Sequence, residues 1–170
     1  VLRLDKTGTI TLGNRQAVGL ITVDGTETGE LAEVAQLASL ADETPEGRSI
    51  VVLVKEQYGL RGRAVGASES LPGMQFIPFS SHTRMSGVDQ GEVRIRKGAA
   101  DVMFAHIRAG GNPISDQLKR EVDAIASAGG TPLVVSRGGK ALGVIHLKDI
   151  VKGGIRDRFA QLRRMGIKTV

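Results

Sequence analysis

The chain has 170 residues, of which 41% are hydrophobic and 24% charged, with a formal net charge of +5 and no cysteine. This length suits a globular chain with a real core, and the lack of cysteine excludes a disulfide framework and thiolate metal sites. The longest purely apolar run, Ile50 to Val54, is far shorter than the ~20 residues that a membrane helix needs, so we expect no membrane span here.

The positive charge is concentrated in one segment. Basic and acidic residues balance over 1–151, so the surplus lies in 152–168, where six Lys and Arg residues accompany only Asp157. We interpret this segment as the solvated face of an amphipathic helix and predict no nucleic-acid binding, because no aromatic stacking pattern accompanies the charge. The three histidines are dispersed along the chain and show no metal-ligand spacing.

The first predicted element is a short apolar strand, Val1 to Leu4, which gives way at Asp5 to the turn-forming sequence Lys6-Thr7-Gly8-Thr9. A carboxylate at the end of a strand, next to many donors, suits nucleophilic attack on phosphorus. Asp, Gly and Thr are also common turn residues, so residue types alone leave an ordinary strand-to-turn junction equally open.

A strand over Asn14 to Val23 and a helix from Thr28 follow, with Thr28 as the expected N-cap. The helix is expected to end at the Pro- and Gly-containing stretch 42–47. Ser49 to Tyr58 fits a buried strand or a buried helix equally well by periodicity. Gly59 to Gly73 is predicted to be an irregular connection.

Three consecutive strands are predicted next, over Met74 to Phe79, Thr83 to Val88 and Glu92 to Lys97, as an antiparallel meander. Strict alternation along the first of them would place Phe76 and Phe79 on opposite faces, so one of the two is not expected in the core.

The remaining pattern predicts two helices, a hairpin and a last helix. The helices cover Ala99 to Ala109 and Ser115 to Ala128, with Ser115 as a cap, and the hairpin strands cover Thr131 to Ser136 and Lys140 to Leu147. An amphipathic helix over 153–165 is then expected to bury Ile155, Phe159 and Leu162, and a strand to begin at Ile167. Strand, insertion, then strand, helix and strand suggest a parallel sheet interrupted by an inserted domain.

Four stretches carry a resemblance to a known family. Asp5 to Thr11, DKTGTIT, resembles the phosphorylation motif of P-type ATPases. With Leu12 to Ala17, Ala41 to Ser49 and Lys148 to Ile155, the chain resembles, over essentially its whole length, the ATP-binding B subunits of Kdp-type potassium-transporting ATPases.

The resemblance implies an α/β architecture with two parts. Residues 13–146 would form an α+β nucleotide-binding domain, an antiparallel sheet flanked by helices. This domain would be inserted in an incomplete Rossmann-like phosphorylation domain of the haloacid-dehalogenase type, formed by 1–12 and 147–170. The resemblance also favours a helix over the ambiguous stretch 49–58.

The resemblance assigns Asp5 as the residue that accepts a phosphoryl group from ATP and becomes an aspartyl phosphate. Asp5 and the backbone carbonyl of Thr7 would help to hold Mg²⁺, and Thr7 would also contact the phosphoryl oxygens. The family's other magnesium and phosphate motifs do not occur in these 170 residues. We therefore expect this chain by itself to bind nucleotide but to turn over ATP hardly at all.

The resemblance also implies a nucleotide site on the inserted domain. Its expected base-stacking residue is Phe79, which also lies at the end of a predicted strand, where its side chain can reach a cleft. With Phe79, the implied ATP-binding residues are Asp42, Glu46, Ser86, Lys97 and Gly98. No Walker A sequence is present, so no P-loop holds the phosphates and weak affinity is expected. Asp149 is a further candidate, near a hinge or the phosphorylation site.

The implied context is a longer protein at the cytoplasmic face of the plasma membrane. In it, phosphorylation of Asp5 would drive K⁺ import through the other subunits of the Kdp complex, and this chain would be a soluble cytoplasmic piece.

Two other functions stay open. Soluble phosphatases of the haloacid-dehalogenase type also use a strand-end aspartate, but they usually carry a second Asp two residues later, where this chain has Thr7. A non-catalytic module that binds nucleotide, or an anionic partner through the basic helix, is the other alternative.

Overall fold

A computed structural model describes residues 3–60 and 73–168, without the side chains of Lys6 and Thr7. The described residues form six strands, five α-helices and one π-helical turn. The strands are β1 (Thr11–Thr22), β2 (Met74–Ile77), β3 (Met85–Gln90), β4 (Val93–Ala99), β5 (Thr131–Arg137) and β6 (Lys140–Val151). The helices are α1 (Thr28–Ser39), α2 (Pro45–Tyr58), α3 (Ala100–Ala109), α4 (Asp116–Ser127) and α5 (Ile155–Arg164), and a π-helical turn covers Lys6–Ile10.

The six strands form one sheet in the order β1-β6-β5-β4-β3-β2, and every pair is antiparallel. The predicted antiparallel sheet flanked by helices is therefore confirmed. The described residues contain no pair of parallel strands, so the parallel sheet expected around the insertion is not formed within them.

The sheet has a hydrophobic core on each face. Successive residues of a strand point to opposite faces, and in β5 and β6 both faces are apolar. Val135 and Ile145 pack with α1 and α2, whereas Val134 and Val144 pack with α3 and α4. The continuous apolar runs of these two strands follow from their position between two helical layers.

Local capping explains where two of the helices begin. Thr44 caps α2, because its hydroxyl oxygen accepts from the backbone nitrogen of Gly47 at 3.1 Å, and Pro45 occupies the first helical position. Ser115 caps α4 in the same way, as predicted, through the nitrogen of Leu118 at 3.1 Å. Thr28 is not a cap. It is the first residue of α1, and Glu27 precedes it without a side-chain capping bond.

The edge strand β1 is covered by side chains of α2. The backbone nitrogen of Ala17 donates to Ser49 Oγ at 2.9 Å, and that of Arg15 donates to Glu46 Oε1 at 3.4 Å. These contacts use donors that would otherwise face solvent at the sheet edge. The ladder of β1 and β6 runs from Thr22↔Gly143 to Thr11↔Val151, so the predicted domain boundaries at 13 and 146 lie within paired strands. The division itself stays a prediction.

The ends of the described chain differ from the expectation. Residues 3–5 and 167–168 are not in strands, and the rest of both predicted terminal strands lies outside the described residues. The predicted irregular connection of 59–73 also lies mostly outside them. α5 is present, but Ile155, Phe159 and Leu162 are only partly buried. No residue of α5 is fully buried within the described chain. None of the described helices is long and apolar enough to cross a membrane.

We expect Gly143→Ala to lower the free energy of unfolding by roughly 1–3 kcal/mol, the usual cost of overpacking a core. A Cβ at this position would lie 2.3 Å from the carbonyl oxygen of Ile21 and 2.6 Å from Leu31 Cδ2, so β1 and β6 would have to separate. Urea unfolding of the variant measures the change.

The matched control is Gly19→Ala in the facing strand, where a Cβ meets no atom within 4 Å and φ is not positive. Its stability should change by less than about 1 kcal/mol. Equal losses in both variants would contradict the close approach at Gly143.

Candidate functional site

An open cleft of about 550 Å³ lies where the end of β2 faces the connection between α1 and α2. Its lining is apolar and aromatic, apart from one carboxylate and one hydroxyl group. The lining residues are Leu40, Ala41, Glu43, Thr44, Phe76, Pro78 and Phe79. We call it the Phe79 cleft. A concave apolar surface with a few polar groups is typical of small-molecule sites.

Both phenylalanines line this cleft, but only Phe76 packs with the core, which confirms the prediction that one of the two is not a core residue. β2 ends at Ile77, two residues earlier than predicted, so the strict two-residue period does not extend to Pro78 and Phe79. Phe76 packs against the core beneath α1 and α2, whereas Phe79 is 41% exposed. Phe79 therefore offers an accessible ring at the cleft, as the sequence predicted.

A tight turn after Phe79 joins β2 to β3. The backbone nitrogen of Arg84 donates to the carbonyl oxygen of Ser80 at 2.7 Å, and Arg84 has a left-handed φ of 50°. Its carbonyl oxygen accepts from the nitrogen of Ala99 at 3.3 Å, and its guanidinium forms an exposed ion pair with Asp101. These contacts fix the chain immediately after Phe79 against the end of β4.

Beneath the cleft lies a buried ion pair between Lys97 of β4 and Asp42 of the α1–α2 connection. Lys97 Nζ donates to Asp42 Oδ2 and, at 2.9 Å, to Ser86 Oγ on the neighbouring strand β3. The two charged side chains are only 2% and 3% exposed. Ser86 in turn donates to the carbonyl oxygen of Ala38 in α1 at 2.9 Å. Each polar atom of this set therefore has a partner within the protein.

The second oxygen of Asp42 extends this set to the beginning of α2. Asp42 Oδ1 accepts from Thr44 Oγ1 at 2.6 Å and from the Thr44 nitrogen at 3.1 Å. Thr44 is the cap of α2 and also lines the Phe79 cleft. A Cβ on Gly47 would lie 2.4 Å from Asp42 Cγ, so only glycine fits here. We refer to Lys97, Asp42, Ser86 and Thr44 together as the Lys97 network.

The structure brings three predicted ATP-binding residues together, but it buries them. Lys97 bonds to both Asp42 and Ser86, whereas the cleft is lined by Glu43 and Thr44, which are not among the predicted ATP-binding residues. Thr-Pro-Glu is typical of a helix start and identifies Thr44 as a cap, although the Pro and Gly of the same stretch also predict the end of the preceding helix. That Asp42, Ser86 and Lys97 contact nucleotide stays a prediction.

Two other predicted ATP-binding residues lie beside the network. Glu46 is half-buried, and its carboxylate accepts from the nitrogen of Arg15 in β1. Gly98 is buried where β4 meets the turn after Phe79, and a Cβ there would lie 2.5 Å from the carbonyl oxygen of Arg84. Gly98 thus permits close packing of β4 against the backbone of Arg84 and Met85. The nucleotide contacts predicted for both residues stay predictions.

Asp5 precedes the N-terminal end of β1 and takes part in none of these contacts. Its side chain is exposed and precedes the π-helical turn Lys6–Ile10, which leads directly into β1. The side chain of Thr7 lies outside the described part of the structure, so its predicted role stays a prediction. Asp149 pairs with Arg15 across the β1–β6 ladder, with 3.8 Å between Arg15 Nε and Asp149 Oδ1.

The described residues around Asp5 offer few oxygen ligands for Mg²⁺. Asp5 offers an exposed carboxylate, which is the hard oxygen ligand that Mg²⁺ prefers. Within residues 3–60 and 73–168, no group of three or more His, Asp or Glu side chains is arranged to hold a metal ion. Any Mg²⁺ here would therefore need oxygen ligands besides the Asp5 carboxylate.

Comparison with known proteins gives the family. No family model matches the chain. The ATP-binding subunit of a potassium-transporting ATPase from Clostridium perfringens is 55% identical over 170 residues, which is 100% of this chain and 24% of that subunit. The same subunits from Dechloromonas aromatica and Erwinia tasmaniensis are 57% and 58% identical, with the same coverage. The chain belongs to this family. It spans about a quarter of the length of these relatives.

Solved structures agree on the fold of this family member. A zinc-transporting PIB-type ATPase in its E2.Pi state matches 99% of the chain with a TM-score of 0.71 at 21% identity, over 24% of its own chain. The catalytic domain of a CPx-ATPase, CopB-B, matches 98% of the chain with a TM-score of 0.58 at 17% identity, over 50% of its own chain. At these identities the likeness shows the fold alone.

We expect Asp42→Ala to lower the free energy of unfolding by about 3–5 kcal/mol, because it leaves the buried Lys97 ammonium without its counterion. Chemical denaturation measures this loss. The control is Asp116→Ala, which removes an exposed carboxylate paired with Lys119 and should lower the stability far less, because water solvates both charges. Similar losses for the two variants would contradict a structural role of the Lys97–Asp42 pair.

The stability of the chain should also depend on pH through Lys97. Burial lowers the pKa of Lys97 from its ordinary value of 10.5, because lost hydration outweighs the attraction of Asp42. Between the folded and unfolded pKa values the unfolded chain binds more protons, so the free energy of unfolding rises with pH in that window.

Lys97→Met removes this titration and should flatten the rise of unfolding free energy between the folded and unfolded pKa values of Lys97. Lys140→Met, at an exposed position at the start of β6, should retain the rise. Urea unfolding at several pH values tests both variants. An unchanged slope in Lys97→Met would show that Lys97 titrates as a solvated lysine does.

Proposed function

We propose that the chain is the ATP-binding and phosphorylation region of a P-type potassium-transporting ATPase. The observation that carries this proposal is the Phe79 cleft, an accessible aromatic ring above apolar walls, in a chain 55–58% identical over its full length to ATP-binding subunits. The adenine ring of ATP stacks on Phe79, which suits a flat apolar base. The cleft is not a P-loop, so binding relies on stacking and a few polar contacts.

The polar groups of the cleft favour one orientation of the ligand. Glu43 is exposed and is the charged residue of the lining, so it repels phosphates and accepts hydrogen bonds from an amino group. The base therefore occupies the cleft and the phosphates extend away from Glu43. Thr44 cannot offer its hydroxyl proton to the ligand while it donates to Asp42.

The reaction proposed at Asp5 is transfer of the terminal phosphoryl group of ATP. A carboxylate oxygen of Asp5 forms a bond to the terminal phosphorus, the bond from that phosphorus to the bridging oxygen breaks, and ADP leaves with the electron pair. Asp5 suits this role because its side chain is exposed at the start of the turn that leads into β1. Mg²⁺, when bound, would offset the negative charge that meets in this step.

The wider role proposed for the parent protein is potassium import. Formation of the aspartyl phosphate and its later hydrolysis by water would drive K⁺ transport through partner subunits, at the cytoplasmic face of the plasma membrane. The name shared by the relatives supports this proposal, since they are potassium-transporting ATPase ATP-binding subunits. ATP is the nucleotide partner.

We expect Phe79→Ala to weaken ATP binding by roughly ten- to a hundred-fold, since base stacking on an aromatic ring contributes about 1–3 kcal/mol. NMR titration of the labelled chain with ATP measures the affinity and shows whether the shifts cluster around the cleft. Val93→Ala is the control, because Val93 is also exposed but lies at the turn between β3 and β4, away from Phe79. An unchanged affinity in Phe79→Ala would refute the stacking assignment.

A further inference from the structure

Lys152 makes two hydrogen bonds to the segment that follows Asp5. Its backbone nitrogen donates to the carbonyl oxygen of Ile10 at 2.9 Å, which continues the β1–β6 pairing by one step beyond Thr11↔Val151. Its side-chain Nζ donates to the carbonyl oxygen of Gly8 at 2.5 Å. The first bond fixes the position of the Lys152 backbone, so the ammonium is held close to the turn.

Gly8 is fixed on both sides of its backbone. Its nitrogen donates to Thr11 Oγ1 at 3.4 Å, and Thr11 is buried with 1% exposure. Gly8 has a left-handed φ of 78°, which glycine adopts without steric cost. Gly13 packs against it, since a Cβ on Gly13 would lie 3.3 Å from Gly8 Cα. The contact from Lys152 therefore adds a bond to the Gly8 carbonyl oxygen on the other side of this residue.

The contact joins two segments that are 144 residues apart in sequence. Three residues of chain span at most about 11 Å, so fixing Gly8 limits the positions open to Asp5. A bond to a charged donor is also stronger than one between neutral groups. The turn that follows Asp5 is thus tied to the residue after β6 by a charged side chain.

We propose that Lys152 is a positioning residue for Asp5, because its ammonium holds the Gly8 carbonyl and so orients the turn that presents the carboxylate. This proposal rests on the proposed function, in which Asp5 accepts a phosphoryl group. Lys152 acts on Asp5 through the backbone of the turn.

The test uses isotope-labelled Lys152→Met and Lys152→Arg variants of the 170-residue chain. In Lys152→Met the Gly8 carbonyl carbon should move upfield, the Asp5 side-chain carboxyl carbon should shift, and the Lys152-position amide should exchange roughly three- to tenfold faster. Lys152→Arg keeps a charged donor and should recover most of the unaltered values. The melting temperature should stay the same, because the contact is exposed.

The control is Lys140→Met, which removes the same charge at the opposite end of β6 and should leave the Gly8 and Asp5 signals unchanged. If the Gly8 carbonyl carbon keeps its chemical shift in Lys152→Met, the Lys152–Gly8 contact is refuted. If the Gly8 shift changes but the chemical shift of the Asp5 carboxyl carbon does not, the positioning role is refuted. ATP titration of the unaltered chain decides the proposed function separately. If ATP changes no chemical shift at the Phe79 cleft, the proposed function is refuted. The chemical shift of Gly8 in Lys152→Met then still tests the contact between Lys152 and Gly8.

Discussion

Two opposite charges, on Lys97 and Asp42, lie almost wholly out of water where the sheet meets the connection between α1 and α2. Isolated charges are very costly in such a place, so the pair requires every neighbouring bond to form. Those bonds reach Ser86 on β3 and Thr44 at the start of α2. Because Thr44 lines the Phe79 cleft, the pair determines the shape of one wall. Its main contribution is the defined conformation of this connection.

The two parts of the proposed function are joined by the longest ladder of the sheet. The Phe79 cleft is lined by residues of β2, of the chain just after it and of the α1–α2 connection, whereas Asp5 precedes β1, whose pairing with β6 extends to Val151. α2 contacts this ladder through Glu46 and Ser49, and Arg15 also pairs with Asp149 of β6. The contacts of β1 therefore connect the helix beside the cleft to the strand that leads from Asp5.

Most of the fold could be predicted because its signals are local. Ser115 identifies the start of α4, the Gly138-Gly139 pair identifies the β5–β6 hairpin, and apolar periodicity identifies α1. The failures have physical causes as well. β2 stops at Ile77, which ends the alternation from which the faces of Phe76 and Phe79 were predicted. The burial predicted for α5 needs neighbours that the described residues do not supply.

The sequence by itself determined the family resemblance, since the DKTGT string and the three stretches that accompany it are properties of residue order. Only the tertiary structure decided where the polar groups point. Lys97 reads as a nucleotide contact in sequence, yet its partner Asp42 is 55 residues away and the pair is buried. Lys152 reads as part of a basic helix, yet it binds Gly8. Such contacts depend on chain segments that meet only after folding, and local periodicity carries no information about them.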